Sequence, residues 1–188
     1  MAKLFFKYGT MKSGKSMHLL MTAHNYESQG KQVLLYTSAV DDRWGESIIR
    51  SRVGVHRVAK VVTDKIYDDV LNCGKNISCI LVDEAQFLEK EDIINLSRIV
   101  DDLNIPVICY GLKDDFNNNL FEGSKTLLEM ADDIEYLKTV CEHPDCGKKA
   151  TMNLRFVDGK PTFVGDSIQI GDSEYKPVCR KHFFHYDR

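Results

Sequence analysis

Eight consecutive residues near the start of the chain, Gly9-Thr10-Met11-Lys12-Ser13-Gly14-Lys15-Ser16, fit the spacing G-x-x-x-x-G-K-[ST]. A mostly apolar run of strand length, Leu4 to Tyr8, precedes them. A segment with helical spacing at Met17, Leu20, Met21 and His24 follows. A strand that curls through glycine into a helix N-terminus aims successive backbone N–H groups, and a partial positive charge, at an anion. The pattern therefore predicts a phosphate-binding loop. Lys15 would bridge the β- and γ-phosphates of a nucleotide triphosphate, and the Ser16 hydroxyl would ligate Mg²⁺.

A loop of this kind needs a parallel sheet around it. Further apolar runs at Val33 to Tyr36, Cys79 to Val82 and Ile105 to Tyr110 have strand length, and Ile93, Leu96, Ile99, Val100 and Leu103 fall at helical spacing. Alternating strands and helices predict an α/β, P-loop NTPase-like fold with a mostly parallel sheet and helices on both faces. From about Val140 the pattern changes. Gly147, Gly159, Gly165 and Gly171 punctuate short alternating stretches such as Met152 to Val157, and no window reads as a good helix. We expect a nucleotide-binding domain over residues 1–140 and a small β-rich domain over 141–188.

The 188 residues, 43% hydrophobic and 28% charged, suffice for a core without disulfides and exclude disorder and coiled coil. A net charge of −3 provides no bulk field to hold a nucleic acid. No apolar run approaches the roughly 18 residues that cross a bilayer, and Lys7 interrupts the first run too early for a secretory leader. The expectation is a cytoplasmic protein with neither membrane nor nucleic-acid partner, in which cysteines serve as thiols or metal ligands. Cys73, Cys79 and Cys109, alone in apolar surroundings, read as core packing.

The stretch Cys79-Ile80-Leu81-Val82-Asp83-Glu84-Ala85-Gln86-Phe87 is an apolar strand ending in two carboxylates. At the carboxyl end of a parallel strand such groups face the crevice where ligands bind. Asp83 suits Mg²⁺, directly or through its water. Glu84 should point the other way, because adjacent strand residues alternate. There it can take a proton from the nucleophile attacking the γ-phosphorus, a contribution of roughly 10²–10⁴-fold. Asp41-Asp42-Arg43, after the Val33 to Tyr36 run, offers further metal and phosphate contacts. Read alone, such a run is more often a charged surface turn.

Cys141 and Cys146 form a C-x₄-C knuckle around His143, and Cys179 and His182 a C-x₂-H knuckle. Thiolates and imidazole at short paired spacing suit a closed, tetrahedral, structural Zn²⁺, with His143 as an alternative to one cysteine. Zinc binding, worth roughly 10–16 kcal/mol in finger peptides, would fix the small domain and tie the intervening chain into a loop able to cover the crevice.

With these motifs in view, the chain resembles the zinc-containing thymidine kinases of cytosolic, bacterial and viral type. The likeness runs nearly end to end, through GTMKSGKS, YTSAVDDRWG, SRVG at Ser51 to Gly54, CILVDEAQFL, ICYGLKDDF, LFEGSK, GKKATMNLRF and IQIGDSEYKPVCRKH. The resemblance implies transfer of the ATP γ-phosphate to the 5′-hydroxyl of thymidine or deoxyuridine, in pyrimidine deoxynucleotide salvage. It implies ATP contacts at residues 9–16, at Asp83, Glu84, Ala85 and Gln86, and at Asp41 and Arg43, with Glu84 as the base. It implies a pyrimidine pocket lined by Met11, Phe87, Leu112, Phe116 and Phe121. Between the knuckles it implies a lasso bringing Arg155, Ile170, Gly171 and Tyr175 to the nucleoside. A homotetramer, feedback inhibition by thymidine triphosphate and relatives that continue beyond residue 188 are implied as well. The four residues between the first two cysteines depart from the usual two. Two other classes fit parts of the pattern: a nucleic-acid-dependent ATPase with a zinc ribbon, for which one such domain is too short, and a nucleotide-sensing module without turnover.

Overall fold

The structure is a computed structural model that describes residues 1–39, 47–74, 76–165 and 174–186. In chain order the first elements are β1 (Leu4–Tyr8), α1 (Lys15–Glu27), β2 (Gln32–Thr37), β3 (Ile48–Arg50), β4 (His56–Val58), β5 (Lys60–Val61), α2 (Ile66–Asn72) and β6 (Ile77–Val82). A 3₁₀ turn at Ala85–Phe87 leads into α3 (Lys90–Leu103), β7 (Val107–Gly111), α4 (Glu122–Met130) and β8 (Asp133–Tyr136). The chain continues through β9 (Thr139–Val140), β10 (Lys149–Ala150), β11 (Met152–Val157), β12 (Lys160–Thr162), β13 (Glu174–Val178) and α5 (Arg180–Phe184).

Six of these strands form one sheet in the order β5-β2-β6-β7-β1-β8, every pairing parallel. β6 shows why the continuous apolar runs were needed. Its alternate residues serve opposite faces: Ile80 and Val82 join a cluster with Ile66 and Val70 of α2, Ile93, Leu96 and Ile99 of α3, and Leu127 of α4. Cys79 and Leu81 join Leu19, Leu20 and Ala23 of α1 on the other side. A strand covered on both faces cannot carry a polar stripe. α3 starts with reciprocal hydrogen bonds between the side chains and backbone amides of Glu89 and Asp92 and ends at Asn104 in a left-handed conformation, φ 53°.

The remainder forms small antiparallel sheets. β9 pairs with β10, and β11 lies between β12 and β13. Its core is a separate cluster of Cys141, Met152, Leu154, Phe156, Val178, Cys179 and Phe183. The Tyr136 hydroxyl donates to the Ala150 carbonyl and so joins β8 of the main sheet to β10.

Two expectations need correction. The region after Val140 does contain a helix, α5, too short at five residues to register as a periodic pattern. Cys73 is exposed, at the C-terminal end of α2, and packs no core; Cys79 and Cys109 are buried as expected. Burial pushes the Cys79 thiol up to about 12 and raises that of Cys109 as well, so both stay protonated and inert.

Gly123, at the start of α4, lies so close to the 3₁₀ turn that an added Cβ would fall 2.4 Å from the Ala85 carbonyl oxygen and 2.7 Å from that of Leu88. Backbone cannot yield as a side chain does. Gly123→Ala should therefore lower stability in urea denaturation by about 1–3 kcal/mol or more.

Candidate active site

The phosphate-binding loop starts where β1 ends. Gly9 donates its N–H to the Gly111 carbonyl at 3.2 Å, and a Cβ there would strike Ser13 Oγ at 2.4 Å and the Leu137 carbonyl at 2.7 Å. Lys12 (φ 61°) and Gly14 (φ 80°) take left-handed backbone angles that curl the loop. The first intrahelical bond of α1 runs from His18 N–H to the Gly14 carbonyl at 2.8 Å, which leaves the amides of Lys15, Ser16 and Met17 at the open helix end. No acidic residue occupies that first turn. The chain has made an anion cradle here.

Lys15 is only 9% exposed, and its ammonium donates to the Thr10 carbonyl at 2.9 Å and the Gly9 carbonyl at 3.4 Å. Burial lowers its pKa, while the charges of Glu84 and Asp83 act in the opposite sense. Asp83 follows β6 directly, its N–H still donating to the Tyr36 carbonyl at 2.9 Å. Burial, reinforced by Glu84, pushes its carboxyl up to about 7, against a hydrogen bond from Ser16 and the attraction of Lys15. Thr10 Oγ1, Ser13 Oγ and Asp83 Oδ1 are buried without a hydrogen-bond partner among the described residues. Such a group of unanswered polar atoms beside a buried ammonium fits a polar ligand with its metal ion.

Glu84 does not sit as strand alternation predicts. The strand ends at Val82, and Glu84 takes left-handed angles, φ 52° and ψ 35°, leading into the 3₁₀ turn. That backbone reversal, and not the pleat, aims its carboxylate, which accepts a hydrogen bond from Gln86 Nε2 at 2.5 Å. Ala85, the first residue of the turn, is fully buried.

Residues expected around the pyrimidine form two connected groups. Phe87 and Phe121 pack edge to face, ring centroids 5.5 Å apart. Phe116, 2% exposed, lies under the Arg155 guanidinium at 5.1 Å from its ring centroid. Asp115 Oδ1 holds the following turn by accepting from the amides of Asn117 at 2.9 Å and Asn119 at 2.8 Å. Arg155 on β11 stands opposite Tyr175 on β13, and burial raises the Tyr175 phenol. Leu112 is buried at the end of β7. Asp41, Arg43, Ile170 and Gly171 lie outside the described residues.

Two contacts were invisible to motif reading. Met11 N–H donates to Asn153 Oδ1 at 2.7 Å, and Lys12 Nζ pairs with Glu142 Oε2 at 2.7 Å. Both join the phosphate-binding loop to the region of the cysteine knuckles. Lys12 thus directs its ammonium to a knuckle carboxylate.

Cys141, Cys146, Cys179 and His182 place their ligand atoms within 4.8 Å of one another. Cys141 Sγ and Cys179 Sγ each lie 3.5 Å from His182 Nδ1, and Cys146 Sγ lies 4.0 Å from Cys179 Sγ. Tetrahedral zinc with ordinary bond lengths spaces sulfur pairs at about 3.8 Å and sulfur–nitrogen pairs at about 3.5 Å, so the donor set fits that ion. His143 is outside it. Its ring stacks on His182 with centroids 3.7 Å apart, and its nitrogens face the carbonyls of Pro144 (2.6 Å) and Tyr186 (3.1 Å). The longer knuckle closes through Asp145 in a left-handed conformation, φ 59°.

Comparison with known proteins agrees in extent with this layout. The family profile described as thymidine kinase matches residues 2–183. Thymidine kinases of Streptococcus agalactiae serotype Ia and Streptococcus pyogenes serotype M1 are each 52% identical over 190 aligned positions, covering 100% of both chains. A third, from S. pyogenes serotype M3, is 52% identical over 98% of each. These relatives do not show the further C-terminal stretch that the resemblance led us to expect. A solved DNA replication initiation factor, at 15% identity and a TM-score of 0.41 over 73% of this chain and 40% of its own, is too distant to bear on the site. A match that spans both the phosphate-binding loop and the cysteine knuckles leaves one assignment: this chain belongs to the thymidine kinase family.

Proposed function

We propose that the chain transfers the γ-phosphate of ATP to the 5′-hydroxyl of thymidine, and of deoxyuridine, giving the nucleoside monophosphate. Family membership supports the reaction. The observation that supports the mechanism is a buried lysine of the phosphate-binding loop, held by the Gly9 and Thr10 carbonyls near buried Thr10, Ser13 and Asp83 oxygens that have no partner among the described residues.

The loop amides from Gly9 to Ser16 and the Lys15 ammonium hold the phosphates, with Asp41 and Arg43 as further contacts. Ser16 and Asp83 are the residues suited to Mg²⁺, which when bound neutralises charge developing on the transferred group. Glu84 accepts the proton of the 5′-hydroxyl as its oxygen bonds to the γ-phosphorus and the bond to the β-phosphate oxygen breaks. ADP leaves with that electron pair, and the proton passes from Glu84 to solvent. Phe87, Phe121, Phe116, Leu112 and Met11 supply an apolar enclosure for a flat base, to which stacking contributes roughly 1–3 kcal/mol. Arg155, Ile170, Gly171 and Tyr175 would close it from the lasso side. A cytosine presents an amino donor where thymine presents an acceptor, so main-chain groups matched to thymine would stay unpaired.

Zinc at Cys141, Cys146, Cys179 and His182 would organise residues 141–188 as a domain distinct from 1–140, a division supported by their separate core. No helix among the described residues is long and apolar enough to cross a membrane. A cytoplasmic homotetramer inhibited by thymidine triphosphate completes the reading. Sedimentation at the mass of one chain would exclude the tetramer.

Three outcomes test these assignments. With Mg-ATP, thymidine and deoxyuridine should be phosphorylated, whereas activity confined to deoxycytidine and adenosine would overturn the substrate. Glu84→Gln should keep its affinity for ATP and lose at least ~10²-fold in kcat. Metal analysis should return about one zinc per chain, falling sharply in Cys179→Ser with earlier thermal unfolding.

A further inference from the structure

Gln86 was expected at the nucleotide, yet its side chain is 2% exposed and engaged at both ends. Its Nε2 donates to Glu84 Oε2 at 2.5 Å, and its Oε1 accepts the backbone N–H of Leu112 at 3.0 Å. The orientation is forced by chemistry. Turning the amide over would set oxygen against carboxylate oxygen and an amino group against an N–H. The neighbouring backbone is shaped to admit it: a Cβ on Gly111 would lie 2.7 Å from Gln86 Oε1 and 3.0 Å from its backbone N. Leu112 is fixed from its other side too, its carbonyl accepting Ser124 Oγ of α4 at 2.5 Å.

We propose that the Gln86 carboxamide is a rigid bracket that positions Glu84 against the wall of the nucleoside pocket at Leu112, making it a positioning residue for phosphoryl transfer. The proposal rests on the reading of Glu84 as the base. Glu84 needs such a holder because a glutamate at positive φ has no side-chain turn of its own to stabilise it, unlike asparagine or aspartate. A planar amide fixes the spacing and direction of its two bonds. A displacement of Leu112, the residue placed against the pyrimidine, is therefore transmitted to the carboxylate that takes the hydroxyl proton. The enclosure of the base and the aim of the general base become one mechanical unit.

Two variants separate this from simple space filling. Gln86→Met preserves length and volume but removes both hydrogen bonds. It should lower kcat at least about tenfold while KM for ATP and thymidine stay within about threefold, and hydrogen exchange in the segment 108–116 should quicken. Gln86→Glu keeps an acceptor for Leu112 and sets a second carboxyl against Glu84. It should lose turnover similarly with exchange in that segment unchanged. Wild-type kcat in Gln86→Met, or a loss expressed in KM alone, overturns the bracket. If the unaltered protein phosphorylates no nucleoside, the functional reading fails by itself. Exchange in Gln86→Met then still decides the bracket, and an unchanged rate at 108–116 overturns it.

Discussion

An ammonium group removed from water must be answered by charge or dipole nearby, and the arrangement around Lys15 follows from that requirement. The loop carbonyls of Gly9 and Thr10 accept its hydrogen bonds, and Asp83 and Glu84 supply opposite charge from the end of the adjacent buried strand. The same burial resists ionisation of Asp83. A triphosphate with its metal ion would relieve both strains at once, anionic oxygens answering the lysine and the cation the carboxylate. Phosphate chemistry is thus favoured by the fold before any substrate contact is considered.

How much of this could be read from sequence depends on whether a feature is local. β1 is found at the residues of its apolar run, and the strands through Leu34 and Leu81 lie where expected, because burial on both faces leaves uninterrupted apolar stretches. β7 starts at Val107 and not Ile105. Pro106 lacks an N–H for the ladder and contributes only its carbonyl, which accepts from Ile80 at 2.9 Å. β4 and β8 escaped notice because they are mostly exposed, and exposed edge strands need no apolar pattern. The cluster of three cysteines and a histidine was legible because a donor set suited to a metal has short spacings within each knuckle.

The geometry of the candidate site was only partly legible. Asp83 and Glu84 could be named from the end of an apolar run, but the direction of Glu84 could not. A single left-handed residue cancels the alternation on which that inference depended. Gln86 could be found within a motif, though only its neighbours in space, Leu112 and the side-chain-free Gly111, explain why an amide is required there. Met11 meets Asn153 across 142 positions of sequence and Lys12 meets Glu142 across 130, and no periodicity reaches that far.

Those two long-range contacts bear on how the chain acquires activity as it is made. The glycine-rich turn is synthesised well before Glu142 and Asn153, which hold Lys12 and the Met11 amide from 130 and 142 positions further along the chain. A nascent polypeptide that stops short of Glu142 lacks both restraints on the loop. The restraints on the cradle are thus complete only once the knuckle region has been made.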